Sequence, residues 1–255
     1  MKIAVTGAAG TIGSRLCADL AVDHEVLRID LADADVIADV CDLGALERAF
    51  VGCTTVIHLA GVAAVEASWG DVYGPNILGT YNAFEAARRT GCARVIFASS
   101  NHAVGMYEVD AAPDIYEPKS GILVRPDAPV RPDSLYGVWK VFGEALGRYY
   151  SDAFGLMVAC LRIGSITAHD DPRHPSVAQS SGWLNLTEAE RFKRYAATWM
   201  SQADFARLVR AVLKSDVRFG VVYGVGDNAT RFWDLEAGRA LYGFWPQDGV
   251  KNGVR

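Results

Sequence analysis

A chain of 255 residues, 51% apolar and 22% charged, can bury the core of one large domain. Its formal charge of −5, with basic residues only in short groups such as Arg88-Arg89, excludes the electrostatic footprint of a nucleic-acid or anionic-membrane binder. Apolar runs fall far short of the ~20 residues of a spanning helix, and five scattered cysteines read as reduced, mostly buried thiols, so a cytoplasmic protein is expected.

In chain order, KIAVT (2–6) reads as a buried strand, and VTGAAGTIG then places Gly7, Gly10 and Gly13 between it and a helical segment. Glycine permits the tight turn, leaves room for a diphosphate, and lets the helix pack close to the sheet. The helix N-terminus offers free N–H groups to the phosphates. Residues 24–30 and 35–40 are the next strands. Asp30 closes the first of them, where a carboxylate can accept the two hydroxyls of an adenosine ribose and repel a 2′-phosphate, which favours NAD over NADP. Asp42-Leu43, after the third strand, is a weaker candidate for the adenine.

Further strands are expected at 55–61, 94–99, 157–164 and 221–226, with helical spacing between most of them. Strand–helix alternation with nearly continuous apolar strands implies an α/β fold, a doubly wound parallel Rossmann sheet. The whole of 1–255 reads as one such domain, with 165–215 and 227–255 contributing a small substrate-binding lobe. Two segments break the rhythm. Residues 106–133 look like a long surface loop, and 166–193 like an excursion that walls a substrate crevice.

The fifth strand ends in FASSNH, which delivers Ser99, Ser100, Asn101 and His102 to the carboxyl edge of the sheet. A helix beginning near Ser134 then carries Tyr136 and Lys140 on one face, with Gly143 and Gly147 continuing that stripe. Val138, Trp139, Phe142 and Leu146 form a second stripe that looks like core. A dehydrogenase must take the proton of an alcohol as its hydride leaves. An ammonium about 5 Å from a phenol, at an effective dielectric near 20, stabilises the phenolate by about 3 kcal/mol, roughly two pKa units. A hydroxyl such as that of Ser100 can hold the substrate oxygen.

With the glycine loop, Ser100, Tyr136 and Lys140 in place, the chain resembles an extended short-chain dehydrogenase/reductase of the NAD-dependent epimerase/dehydratase superfamily. The stretches FASSNHAVGMY, RPDSLYGVWKVFGE, LRIGSIT and RYAATWMSQADFARLV most resemble uronate dehydrogenases. That resemblance implies NAD-dependent oxidation of the C1 hydroxyl of a hexuronate (glucuronate or galacturonate) to its aldarolactone. It makes Ser100, Tyr136 and Lys140 catalytic, with tyrosine as the base. It adds Thr11, Ile12, Leu59, Ala60, Gly61 and Asn76 to the NAD contacts, and places Ser100, Asn101, His102, Tyr136, Ser165 and Arg194 around the sugar. It implies no metal, and it makes a homo-oligomer the expected assembly. Trp139 stands where the family commonly has serine. Arg194 either meets a carboxylate or pairs with Glu188 or Glu190, and His102 is either a ligand group or a structural histidine. Related sugar and sugar-phosphate 1-dehydrogenases are also similar, with Arg173, His174, Lys193 and Arg194 available to a phosphate. Nucleotide-sugar epimerases or dehydratases and a non-catalytic NAD-binding regulator are the remaining readings.

Overall fold

A computed structural model describes residues 1–179 and 184–251. Seven parallel strands lie in the order β3-β2-β1-β4-β5-β6-β7: β1 Lys2–Thr6, β2 Glu25–Asp30, β3 Val36–Ile37, β4 Thr55–His58, β5 Arg94–Ser100, β6 Met157–Ile163 and β7 Phe219–Gly224. The helices are α1 Thr11–Leu20, α2 Leu43–Phe50, α3 Trp69–Val72, α4 Gly79–Arg89, α5 Met106–Ala111, α6 Leu135–Phe154, α7 Glu188–Thr198, α8 Gln202–Lys214 and α9 Glu236–Tyr242. A π-helical stretch, Tyr73–Leu78, joins α3 to α4. The doubly wound Rossmann sheet read from the sequence is the fold of the chain. Strand order reverses between β1 and β4, so their carboxyl ends diverge and open a crevice.

The central strands β4 and β5 are buried throughout because both faces of the sheet are covered. On one face Ile3, Val5, Leu161 and Val222 pack against Leu16 of α1 and Phe205, Leu208 and Val209 of α8. On the other, Ala4, Val56, Val95, Phe97 and Val158 meet Leu46 of α2, Phe84 of α4 and Trp139 of α6. Among the described residues no helix is long and apolar enough to cross a membrane.

The segment 106–133 is not a surface loop. It folds into α5 and a short 3-10 turn, Asp114–Tyr116, and buries Ile115, Tyr116 and Val124 in a third core with Leu186, Tyr223, Phe232 and Trp233. Its proline and aspartate content masked three apolar anchors. The excursion 166–193 likewise carries a 3-10 turn, Pro175–Gln179, and the first turn of α7, which Thr187 and Glu190 close with a reciprocal capping box.

In helix α6, Trp139, Phe142 and Leu146 of the expected core stripe do pack against the core. Gly143 and Gly147 face the sheet of their own chain, against Phe97 and Val158, while Val138 is exposed. Burial follows the small residues because only they allow the helix axis to approach the strands. An alanine at 143 would gain about 1 kcal/mol of helix propensity, but its Cβ would run into the buried Phe97 ring, an overpacking cost of about 1–3 kcal/mol. Gly143→Ala should therefore lower the urea midpoint, and an unchanged or raised midpoint would show that Phe97 yields freely.

Candidate active site

A cavity of about 630 Å³ opens at the crevice, in the size range of small-molecule sites. The glycine loop forms one wall. Gly7 has φ +72°, and a Cβ there would stand 2.7 Å from Ala60 N, so the loop packs directly on the strand β4 exit. Gly13 touches the Gly7 carbonyl and cannot be larger either. Gly10 caps α1 with no side-chain acceptor, so the first N–H groups of α1 lie at the wall that Gly10, Thr11 and Ile12 line. This bare helix start behind a Cβ-free turn suits a dinucleotide diphosphate.

The opposite wall comes from β5 and α6. Ser134 caps α6 by accepting the Gly137 N–H at 3.0 Å, which fixes where Tyr136 enters the cavity. Ser100 is buried, accepts the His102 N–H at 3.2 Å, and donates to Asn101 Oδ1 at 3.1 Å. Tyr136 is half-buried, with the His102 ring edge-on at 5.6 Å and Trp139 at 5.5 Å. His102 Nδ1 lies 2.7 Å from Asp133 Oδ2, whose other oxygen accepts the Ser134 hydroxyl.

Lys140 is buried, donates to Ala98 O at 2.5 Å, and places its ammonium 3.5 Å from the Trp139 ring centroid and 5.2 Å from that of Tyr136. The expected acidified phenol is absent from the protein by itself. Burial pushes Tyr136 up to about 12, the Ser100 hydroxyl pulls it back and the Asp133 charge pushes it further. Lys140 is itself held well below its ordinary value by burial, and Glu144 counters that. Desolvation of both partners outweighs their mutual attraction.

Beneath them lies a pair that the sequence reading missed. Glu144, one turn beyond Lys140, receives Arg162 through two bonds of 2.9 and 2.8 Å and the Ser99 hydroxyl at 2.5 Å. The i, i+4 spacing from Lys140 was the available signal; the Arg162 partner is invisible without the β6–α6 packing. On the other flank, buried His58 bridges Thr6 Oγ1 (2.7 Å) and Thr80 Oγ1 (3.2 Å), and Thr80 also accepts the Trp139 N–H.

Most of the expected site residues meet in this cavity: the glycine loop with Thr11 and Ile12, then Leu59, Gly61, Ser100, Asn101, His102, Tyr136, Lys140, Ser165 and Arg194. Five do not line it. Asp30 sits beyond the rim, where its carboxylate accepts the Ala9 and Leu31 N–H groups, both at 2.8 Å. Asp42 caps α2 through the Ala45 N–H, and Leu43 packs into the core beneath it. Ala60 contributes backbone against Gly7. Asn76 is fully buried and clamps Val62 by two bonds of 2.7 and 3.1 Å, so it shapes the loop after β4.

Arg194 pairs with neither Glu188 nor Glu190. Its partner is Glu108 of α5, fully buried, at 2.7 Å. Lys193 pairs outward with Glu117, and Arg173 and His174 do not line the cavity, so the residues considered for a phosphate do not converge.

The NAD dependent epimerase/dehydratase family matches residues 3–181. The chain is 38% identical to the L-arabinose 1-dehydrogenase (NAD(P)(+)) of Haloferax volcanii, over 97% of this chain and 96% of that one. It is 35% identical to the NAD-dependent glucose-6-phosphate dehydrogenase of the same organism, over 96% and 93%. A mutant of the uronate dehydrogenase of Agrobacterium tumefaciens, solved in complex with NAD, superposes with a TM-score of 0.78 at 34% identity, covering 97% of this chain and 85% of that one.

Burial and the facing Lys140 charge depress His58 to about 3. The unfolded chain binds a proton near pH 6.5 that the folded chain refuses, so stability is full above pH 6.5 and falls as pH drops toward 3, by about 1.4 kcal/mol per unit. Urea midpoints between pH 7 and 5 should fall more steeply in the native protein than in His58→Gln; parallel slopes would contradict the neutral buried imidazole.

Proposed function

Since the chain belongs to the NAD dependent epimerase/dehydratase family, we propose that it oxidises the C1 hydroxyl of a sugar with NAD, and that the sugar is a hexuronate. The observation that carries this reading is that Ser100, Tyr136 and Lys140 line the same cavity as the glycine loop. The loop and the first turn of α1 hold the diphosphate, and Asp30 the adenosine ribose. Bound NAD supplies the hydride acceptor. Ser100 orients the C1 oxygen, Tyr136 takes its proton, and Lys140 holds the cofactor's second ribose and favours the phenolate. Asn101, His102, Ser165 and Arg194 line the sugar side, with 165–215 and 227–255 forming that lobe.

A phenol at about 12 is a poor base at neutral pH. The reaction therefore relies on the charge that NAD brings to the site and on proton transfer concerted with hydride departure. Tyr136→Phe should bind NAD as before and lose turnover by orders of magnitude, read as NADH absorbance with glucuronate and galacturonate. Retained turnover would remove Tyr136 from the mechanism. Asp30→Ala should narrow the preference for NAD over NADP, and an unchanged ratio would refute its ribose role.

A second reading, oxidation of a neutral aldose at C1, is favoured by one observation: Glu108 already opposes the Arg194 charge. The working unit we propose is a homo-oligomer. Leu78 and Tyr81 of the α4 side and Leu135, Val138 and Tyr149 of α6 are exposed apolar groups on adjoining helices, a face that suits a second copy. Light scattering of Val138→Glu should give a smaller species than the native chain, and equal masses would refute that face.

A further inference from the structure

The Lys140 ammonium lies among three rings. Its Nζ is 3.5 Å from the Trp139 ring centroid and 5.2 Å from those of Phe97 and Tyr136, and it donates to the Ala98 carbonyl. Successive residues of a helix do not ordinarily face each other, so this contact depends on where the indole is held. Trp139 Nε1 donates to Thr80 Oγ1 at 2.7 Å, and Thr80 in turn lies 3.2 Å from His58 Nε2. Phe97 and Tyr136 stand edge-on to the ring at 6.2 and 5.5 Å. At the exit of β4, a Cβ on Gly61 would fall 2.3 Å from Trp139 Cη2, so only glycine there admits the ring. The indole is thus locked from β4, β5 and α4. It is 1% exposed, yet it lines the cavity beside Lys140 and Gly61.

We propose that Trp139 is a positioning residue that acts through Lys140: its fixed ring face keeps the ammonium charged and aimed at the cavity, ready for the cofactor's second ribose. The inference rests on the NAD-dependent dehydrogenase reading, which brings that ribose to Lys140. A buried ammonium is costly unless something answers it, and burial holds Lys140 well below its ordinary value. Glu144 favours the charge from one turn away, but Arg162 and Ser99 engage its carboxylate. A carboxylate in direct contact would take the ammonium hydrogens and cancel the charge. A ring face attracts the cation while staying neutral, so the charge remains available to a ligand. At a desolvated site that attraction is worth about thirtyfold in an equilibrium constant.

The experiment is a double-mutant cycle on NAD affinity, measured by calorimetry on the native chain, Trp139→Leu, Lys140→Met and the double variant. Trp139→Leu should raise the Kd about tenfold in the native background and less than about twofold beside Lys140→Met, because the ring then has no cation to hold. Additive losses would show that Trp139 merely packs, and a Kd indifferent to Lys140→Met would remove the ribose contact; either result overturns the assignment. Trp139→Phe restores a ring face without the Thr80 bond, so it should recover most of the affinity even though both variants lower the thermal midpoint. A phenylalanine variant that binds no better than the leucine one would count against the ring face. Should the Trp139 variants fail to fold, fluorination tests the same point in an unaltered sequence, since it drains the ring face and keeps the shape and the N–H. The chain grown on 5-fluorotryptophan should bind NAD about threefold more weakly, and the same label should leave Lys140→Met unchanged; no loss in the labelled native chain would overturn the assignment. A native chain that binds NAD but forms no NADH with any sugar would instead sink the dehydrogenase reading, and the cycle would still decide what Trp139 does.

Discussion

A buried lysine organises the centre of this molecule. Lys140 cannot stay charged at 4% exposure unless its surroundings answer it. The answer comes from three directions: the Ala98 carbonyl, the Trp139 ring, and the field of Glu144 one turn along the same helix. Each of these demands further structure. Glu144 needs Arg162 from β6, Trp139 needs Thr80 from α4, and Thr80 shares a bond with His58 from β4. The cavity floor is thus held by a chain of polar contacts across β4, β6, α4 and α6, and the cavity-facing side of α6 has little freedom to move.

That chain of contacts also explains why the glycines of α6 point inward. The polar side chains can reach β5 and β6 only if the helix lies close to them, and Gly143 and Gly147 set that distance. The apolar side chains left on the outer stripe then have no place in their own core. The same spacing constraint therefore generates both the interior of the site and the exposed face between α4 and α6.

All seven strands were legible as β-branched runs, because a buried parallel strand must be apolar on both faces. Their ends were less so: β4 stops at His58, with Leu59 and Gly61 beyond it at the cavity edge, and β7 begins two residues earlier than its apolar run suggests. The glycine loop and the Tyr136–Lys140 pair could be read because local geometry alone sets their spacing. Glu108 and Arg162 could not. Both answer charges from segments that are distant in the chain, 86 residues away for Arg194 and 18 for Glu144, and composition marks neither as buried. Asp42 and Asn76, two residues expected at the cofactor, have side chains bonded to the backbone N–H groups of Ala45 and Val62. The acidity expected of Tyr136 failed for a related reason: a pair considered in isolation omits the desolvation that the fold imposes on both members.

The central claim is that the cavity presents the C1–H bond of a sugar to a bound dinucleotide while Tyr136 accepts the adjoining hydroxyl proton. Glucuronate carrying deuterium at C1, turned over with NAD, tests it most directly. The account requires the label to appear in the reduced nicotinamide, with slower turnover than for the unlabelled sugar. Reduced cofactor without label, or label washed into solvent, would contradict it.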